Sequence, residues 1–413
     1  MISIRTKKGY KLNIAGEPSH ELEQLGGPTS VALLPERIPF VKPRLKVKVA
    51  DQVKVGSPVF EDKRNPDLVF LSPGGGRITK IDFGPRRVIK EIVVELDQDE
   101  GYETFPIFNE AQVENIERQM LVKAIMTGGL PFRDIAAPDS IPPSIIVSLD
   151  TNEPFQPMPE VYLKEKIELF EFGIKILQKL SEKLFISTSQ NRSFILDQLN
   201  SYVTHICERV YPADDPGVLL YHIKKSPDEN RAWYINGQDV LLLAMLFKTG
   251  KYPVERTVVI GGTLVRGKKH LLTRIGAPLS HLTKGRTDKT EKARHIVGGI
   301  FKGYKGGKDS YMGFYETSLV LIPEGGEKEF LGFACHGEER ACINCGFCAQ
   351  VCPVDILPQF TYKCILVDEI EEAIDHGLLD CVECGLCTYV CPSKLELCNV
   401  MKNTKKACYL EQL

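Results

Sequence analysis

The sequence predicts an α+β multidomain protein in four successive parts. These are a β domain over 1–105, an α/β domain over 106–250, a small β-rich domain over 251–335 and a helical, cysteine-rich domain over 336–413. Three observations predict this. Apolar residues alternate with period two near the start, then shift to a helical period from residue 106. Twelve of the 13 cysteines fall between Cys335 and Cys408, leaving only Cys207 outside. The 413 residues suffice for two to four domains. Hydrophobic residues at 43% and charged residues at 26% exclude a disordered or collagen-like chain. With 52 basic and 54 acidic residues, the net charge of −2 offers no footprint for nucleic acid.

In the first part, Arg44-Leu45-Lys46-Val47-Lys48-Val49 alternates as a half-buried strand does. Turns at Ala50-Asp51, Gly56, Asn65-Pro66 and Gly74-Gly75-Gly76 interrupt the β pattern. This strand–turn order resembles the barrel-sandwich fold of biotinyl and lipoyl domains. Lys63 falls near the place of a carrier lysine, but Arg64, Asn65 and Pro66 follow it instead of small or apolar neighbours. The domain is therefore read as a scaffold or docking element.

In the second part, Val113, Ile116, Met120, Leu121, Ala124 and Ile125 share one face of a helix within 106–127, which Gly128-Gly129 stops. The run 144–149 reads as a buried parallel strand ending at Asp150-Thr151-Asn152. Leu163, Ile167, Phe170, Ile174, Leu177 and Leu180 predict a long helix over 162–184. The segments 184–187 and 218–223 read as strands and 238–247 as a helix, an alternation that argues for an α/β layer. The third part returns to β structure at 257–260 and 318–323, with a short helical turn over 279–283.

The tail carries the chemistry. It reads Cys342-x-x-Cys345-x-x-Cys348-x-x-x-Cys352-Pro353 and then, with 28 residues between Cys352 and Cys381, Cys381-x-x-Cys384-x-x-Cys387-x-x-x-Cys391-Pro392. This is the bacterial ferredoxin spacing twice over, in which the fourth cysteine of each run ligates the other cluster. Cluster I is therefore assigned to Cys342, Cys345, Cys348 and Cys391, and cluster II to Cys381, Cys384, Cys387 and Cys352. A zinc site needs only four ligands, typically as two spaced pairs, and explains the two complete runs less well. Gly346 and Gly385 leave room for the backbone to bend near a cluster, and one helix is expected over 363–376, ended by Gly377. Cys335, Cys364, Cys398 and Cys408 are read as buried or free thiols, and Cys207, outside the tail, is given no role. Two [4Fe-4S] clusters alone make this domain an electron wire.

No G-x-G-x-x-G follows a strand. The glycines at 74–76, 128–129 and 261–262 read as turns, and no Gly-x-Ser-x-Gly or His-Glu-x-x-His is present. His205, His222 and His281 read as packed or surface residues, and Arg86-Arg87 and Lys268-Lys269 as solvated charge. No signal peptide and no apolar run near 18 residues is seen.

The chain resembles the A subunits of sodium-pumping NADH:quinone reductases (NQR). The residues that carry this are 11–16, Val47-Lys48-Val49, 60–66, Arg133 with 137–140, Asp150-Thr151-Asn152, Gly276-Ala277 with 282–285, and 323–332. The double ferredoxin tail, with its lead-in Gly377-Leu378-Leu379-Asp380, resembles Rnf C subunits. The usual NQR A subunit lacks these clusters, and the Rnf flavin loop Gly-Gly-Ala-Gly-Phe-Pro is missing from this chain. In the Rnf-like tyrosine–proline segment at 211–217, Asp214 and Asp215 would repel a phosphate. The resemblance implies an electron-transfer subunit, peripheral on the cytoplasmic face of the inner (plasma) membrane. It would exchange electrons with integral-membrane and flavin- or iron–sulfur-bearing subunits, in a complex that couples transfer to Na⁺ or H⁺ movement. Two alternatives are an Rnf-C-type NADH dehydrogenase subunit, binding FMN and NADH in the α/β domain, and a soluble iron–sulfur adaptor for another dehydrogenase or hydrogenase.

Overall fold

A computed structural model describes residues 1–413 apart from 7, 12, 13, 15, 130–140, 191, 288–292, 325–338 and 413. Cys335, Arg133, residues 137–140 and most of 323–332 lie outside the described residues.

The β domain is a sandwich of two antiparallel sheets. One is ordered Ser30–Leu33, Ile89–Leu96, Gly76–Phe83, Gln52–Val53; the other Pro43–Leu45, Pro58–Asp62, Val69–Leu71. Phe60 and Phe70 stack at 4.5 Å between ring centroids, and Val31, Ile78 and Ile92 complete a fully buried core. The strand expected over 44–49 stops at Leu45, because only Pro43–Leu45 finds a partner, in Pro58–Asp62. Lys63 is exposed on the turn after Asp62, where the neighbouring Arg64 is tied to Asp62 by an ion pair of 2.9 Å.

The α/β domain is a five-stranded, all-parallel sheet ordered Ile2–Ile4, His205–Cys207, Leu184–Ser189, Ile145–Ser148, Trp233–Asn236. Ile145 and Val147 enter the core that holds Phe170, Ile174 and Val240, whereas Ile146 packs with Leu219 and Ile4. That alternation is the period-two geometry of a strand covered on both faces. Helices Ile167–Leu180 and Gly237–Thr249 cross closely at Gly173, where a Cβ would lie 2.6 Å from Val240 Cγ1.

Several local expectations are corrected. The segment 218–223 is not a strand but part of helix Pro216–Ile223. Asp215 caps it by accepting the Gly217 N–H at 2.8 Å, and Pro216 supplies a preset φ at the first helical position. A short, mostly apolar run of six residues fits either state, so the cap decides. The helix expected within 106–127 is two, Glu110–Asn115 and Arg118–Thr127, because Ile116 is extended. The one expected over 162–184 is Pro159–Tyr162 followed by Ile167–Leu180, and the next strand begins at Leu184. The one expected over 363–376 is Pro358–Leu366 and Ile370–Asp375, broken where Asp368 takes φ +63°.

The third sheet is mixed and six-stranded, ordered Tyr304–Gly306, Ala293–Val297, Ser318–Pro323, Glu255–Gly261, His270–Arg274, Leu22–Gln24. Thus residues 2–4 and 22–24, expected in the first domain, extend the edges of two later sheets. Edge strands find partners by long-range register, which local pattern does not reveal.

The tail is helical and lies against the body. Its last helix, Leu397–Gln412, meets the β domain through Phe40 and Tyr409, with ring centroids 4.8 Å apart, and through Lys42 Nζ donating to Leu410 O at 2.6 Å. No helix among the described residues is long and apolar enough to cross a membrane.

Candidate iron–sulfur site

Each cysteine run is a loop followed by a short helix, Phe347–Val351 or Leu386–Tyr389. Gly346 and Gly385 precede these helices at φ +77° and +78°, a left-handed conformation that glycine adopts without steric cost.

Cys342, Cys345 and Cys348 line one pocket together with Cys391 of the other run, closed by Gln359, Leu395 and Leu397. The structure thus brings together the four residues assigned to cluster I. Cys345 is exposed, and Ile343 and Phe347 beside it are 66% and 49% exposed. Cys381, Cys384 and Cys387 are buried, as is Cys352 at the end of the first short helix. Cys352 and Cys381 belong to the same buried cluster as Cys387 and Leu378.

Backbone amides point at these sulfurs. Glu383 N–H donates to Cys381 Sγ at 3.4 Å, Leu386 N–H to Cys384, and the N–H groups of Val354 and Ile356 to Cys352. Burial, then Cys398, pushes the Cys381 thiol up to about 12, and burial lifts that of Cys384 far above the ordinary range. Such thiols become thiolates only beside a compensating cation, which cluster iron supplies. Among the described residues, only Cys364, Glu372 and His376 bring three ligand atoms within 4.8 Å of one another.

The second run is sealed against the body. Tyr211 donates its hydroxyl hydrogen to Cys384 O at 2.6 Å, and its ring stacks on Phe301 at 4.9 Å. A Cβ at Gly217 would lie 2.6 Å from Val382, so that approach is close. Around Tyr211 sits a buried ionic group. Lys302 pairs with Asp215, and Glu153 accepts the Phe301 N–H at 2.7 Å. Burial pushes Glu153 up to about 7 and Asp214 up to about 6. Sequence reading noted the acids at 214–215 but missed Lys302 and Glu153, which lie far away in the chain.

The chain matches the NqrA N-terminal barrel-sandwich hybrid domain over residues 4–97, the NqrA second α/β domain over 112–252 and a 4Fe-4S dicluster domain over 341–395. It is 32% identical to the A subunit of the Na(+)-translocating NADH-quinone reductase of Histophilus somni (strain 2336), over 91% of this chain and 92% of that one. Identity to the A subunits of the same name from Neisseria meningitidis and Saccharophagus degradans is 31% and 30%, with the same coverage. This chain belongs to the NqrA family, the A subunits of NQR.

Within this NqrA framework, the glycine-rich segments are packed against protein. A Cβ at Gly261 would lie 2.4 Å from the Phe155 ring, one at Gly262 2.2 Å from Leu321 O, and one at Gly76 1.9 Å from Glu95 O. At Gly128 and Gly129 it would meet Leu246 and Leu71, both at 2.5 Å. Close packing on the Cβ side accounts for glycine at these positions. In segment 211–217 Asp214 and Asp215 are buried, and Lys302, from outside the segment, is paired with Asp215. Of the remaining thiols, Cys207 is buried and raised to about 12 by burial, an inert state. Cys408 is buried in the last helix, Cys364 lies beside Glu372 and His376, and Cys398 hydrogen-bonds Cys387.

Proposed function

We propose that this chain is the electron-conducting NqrA-type component of an NQR-like membrane complex, holding two [4Fe-4S] clusters. One observation carries the reading: a pocket lined by four cysteines, of which Cys345 is exposed, and a buried cysteine group lie in one domain fastened to an NqrA body. Cys342, Cys345, Cys348 and Cys391 would hold cluster I. Cys381, Cys384, Cys387 and Cys352 would hold cluster II. When bound, each cluster takes up and releases one electron at a time.

The residues give this wire a direction in space. Cys345, Ile343 and Phe347 offer the first cluster's edge to a partner. Tyr211, Phe301 and Val382 keep water from the second and fasten it to the α/β domain. The body serves as a scaffold, peripheral on the cytoplasmic face of the membrane, beside integral-membrane subunits bearing flavin or iron–sulfur centres. The complex couples electron flow to Na⁺ or H⁺ movement.

Cofactor analysis of the anaerobically purified chain tests this. About eight iron and eight sulfide per chain are expected, without flavin and without bleaching by NADH. Bound flavin or direct reduction by NADH would overturn the reading in favour of a dehydrogenase subunit. Purification from native membranes without integral-membrane subunits would favour a soluble adaptor.

A further inference from the structure

The two runs repeat at an offset of 39 residues (352 to 391), and the repeat extends beyond the cysteines. The backbone keeps the same register. Asn344 and Glu383 both take φ +56°, and Asp355 and Lys394 take +55° and +58°. The helices Pro358–Leu366 and Leu397–Gln412 begin at equivalent positions. Their second residues are Gln359 and Cys398.

Each of these second residues touches the third cysteine of its own run. Cys348 Sγ lies 3.1 Å from Gln359 Oε1, and Gln359 is buried. At the equivalent place the Cys398 thiol meets that of Cys387, a contact that raises Cys387 and lowers Cys398. Cys398 is itself pinned, its N–H donating to Thr388 Oγ1 at 2.9 Å and its sulfur accepting from the Gly385 N–H. Two contacts at equivalent places, built from different side chains, set an amide against one run and a thiol against the other.

We propose that Gln359 and Cys398 are equivalent hydrogen-bond donors to the ligand sulfurs of Cys348 and Cys387, and that their difference makes the two clusters electronically unequal. The proposal rests on the cluster reading above. An iron-bound cysteine is a thiolate and only accepts, so Gln359 meets Cys348 with its Nε2 amide hydrogens. Cys398 keeps its proton and donates S–H to Cys387. An amide N–H is a stronger donor than a thiol. Hydrogen bonds to ligand sulfurs stabilise the extra negative charge of the reduced cluster and raise its potential. This contact therefore favours reduction at the exposed cluster more than at the buried one. Both residues are positioning residues and bind no electron themselves.

The test uses the full chain, purified anaerobically as wild type, Cys398→Ala, Cys398→Gln and Gln359→Leu. Iron is counted and the two midpoint potentials are followed by electron paramagnetic resonance during reductive titration. All variants are expected to keep wild-type iron. Cys398→Ala should shift one midpoint down and leave the other, and Cys398→Gln should shift that same midpoint up. Gln359→Leu should lower only the other midpoint. If Cys398→Gln fails to fold, the two remaining variants decide. Unchanged midpoints in Cys398→Ala and Gln359→Leu would overturn the proposal. So would loss of about half the iron in Cys398→Ala, which would make Cys398 a ligand in place of Cys352. A wild-type chain without iron would instead overturn the cluster reading itself.

Discussion

The Tyr211 hydroxyl donates to the carbonyl oxygen of Cys384 at 2.6 Å, joining the α/β domain to the loop of the second cysteine run. Both residues are buried, so no solvent replaces the bond when it is lost. Tyr211→Phe keeps the stacking on Phe301 but leaves a buried acceptor unpaired. A loss of about 1–3 kcal/mol is expected in the docking of this loop. Hydrogen exchange in residues 381–391 should accelerate at least about fivefold. Unchanged exchange would show that the hydroxyl does not hold the domains together.

Cys391→Ala tests the crossover between runs. Iron should fall from about eight to about four per chain, with the signal of the other cluster and the melting of the body preserved. Complete retention of iron would place the fourth ligand elsewhere.

The exposed Ile343 and Phe347 frame the edge of the first pocket. A charge there opposes an apolar contact without touching a sulfur. Ile343→Glu with Phe347→Glu should slow electron exchange with the membrane subunits about tenfold, equivalent to about 1.4 kcal/mol, at constant iron. Equal rates in the variant and the parent would place the exit at another face.

Glu153 links stability to pH. Its carboxyl is pushed up from 4.5 to about 7 by burial, against the opposing pull of Phe301 N–H and Lys302. Between these values the folded chain binds more protons than the unfolded one, so stability falls as pH rises through this window. Below pH 4.5 the penalty is absent, and above about 7 it is complete. Taken alone it amounts to about 3 kcal/mol. Glu153→Gln should remove that slope in denaturant titrations at pH 5 and pH 8; a difference between the two pH values equal to that of the parent would contradict the assignment.

The barrel-sandwich domain was legible because its turns break short strands at regular intervals. The central layer was legible because residues such as Ile145–Ser148 form a continuous apolar run, as a strand covered on both sides must. The segment at 218–223 was misread because a short, mostly apolar run suits a buried strand or a buried helix equally; the Asp215-Pro216 cap that decides between them precedes the run. The pairing of Gln359 with Cys398 was in principle readable from the repeat. A search for cysteines alone passes over it, since one partner is a glutamine.

Cysteine spacing by itself determined the chemistry this chain admits, because two-residue gaps followed by a crossing fourth cysteine describe how thiolates wrap a cluster, and that requirement is local in sequence. Only the tertiary structure decided which run faces outward, which is sealed beneath Tyr211 and Phe301, and that Lys302 joins Asp215 from 87 residues away. Burial and ion pairing of this kind arise when distant segments pack together, and no local pattern in the chain records which segments will meet.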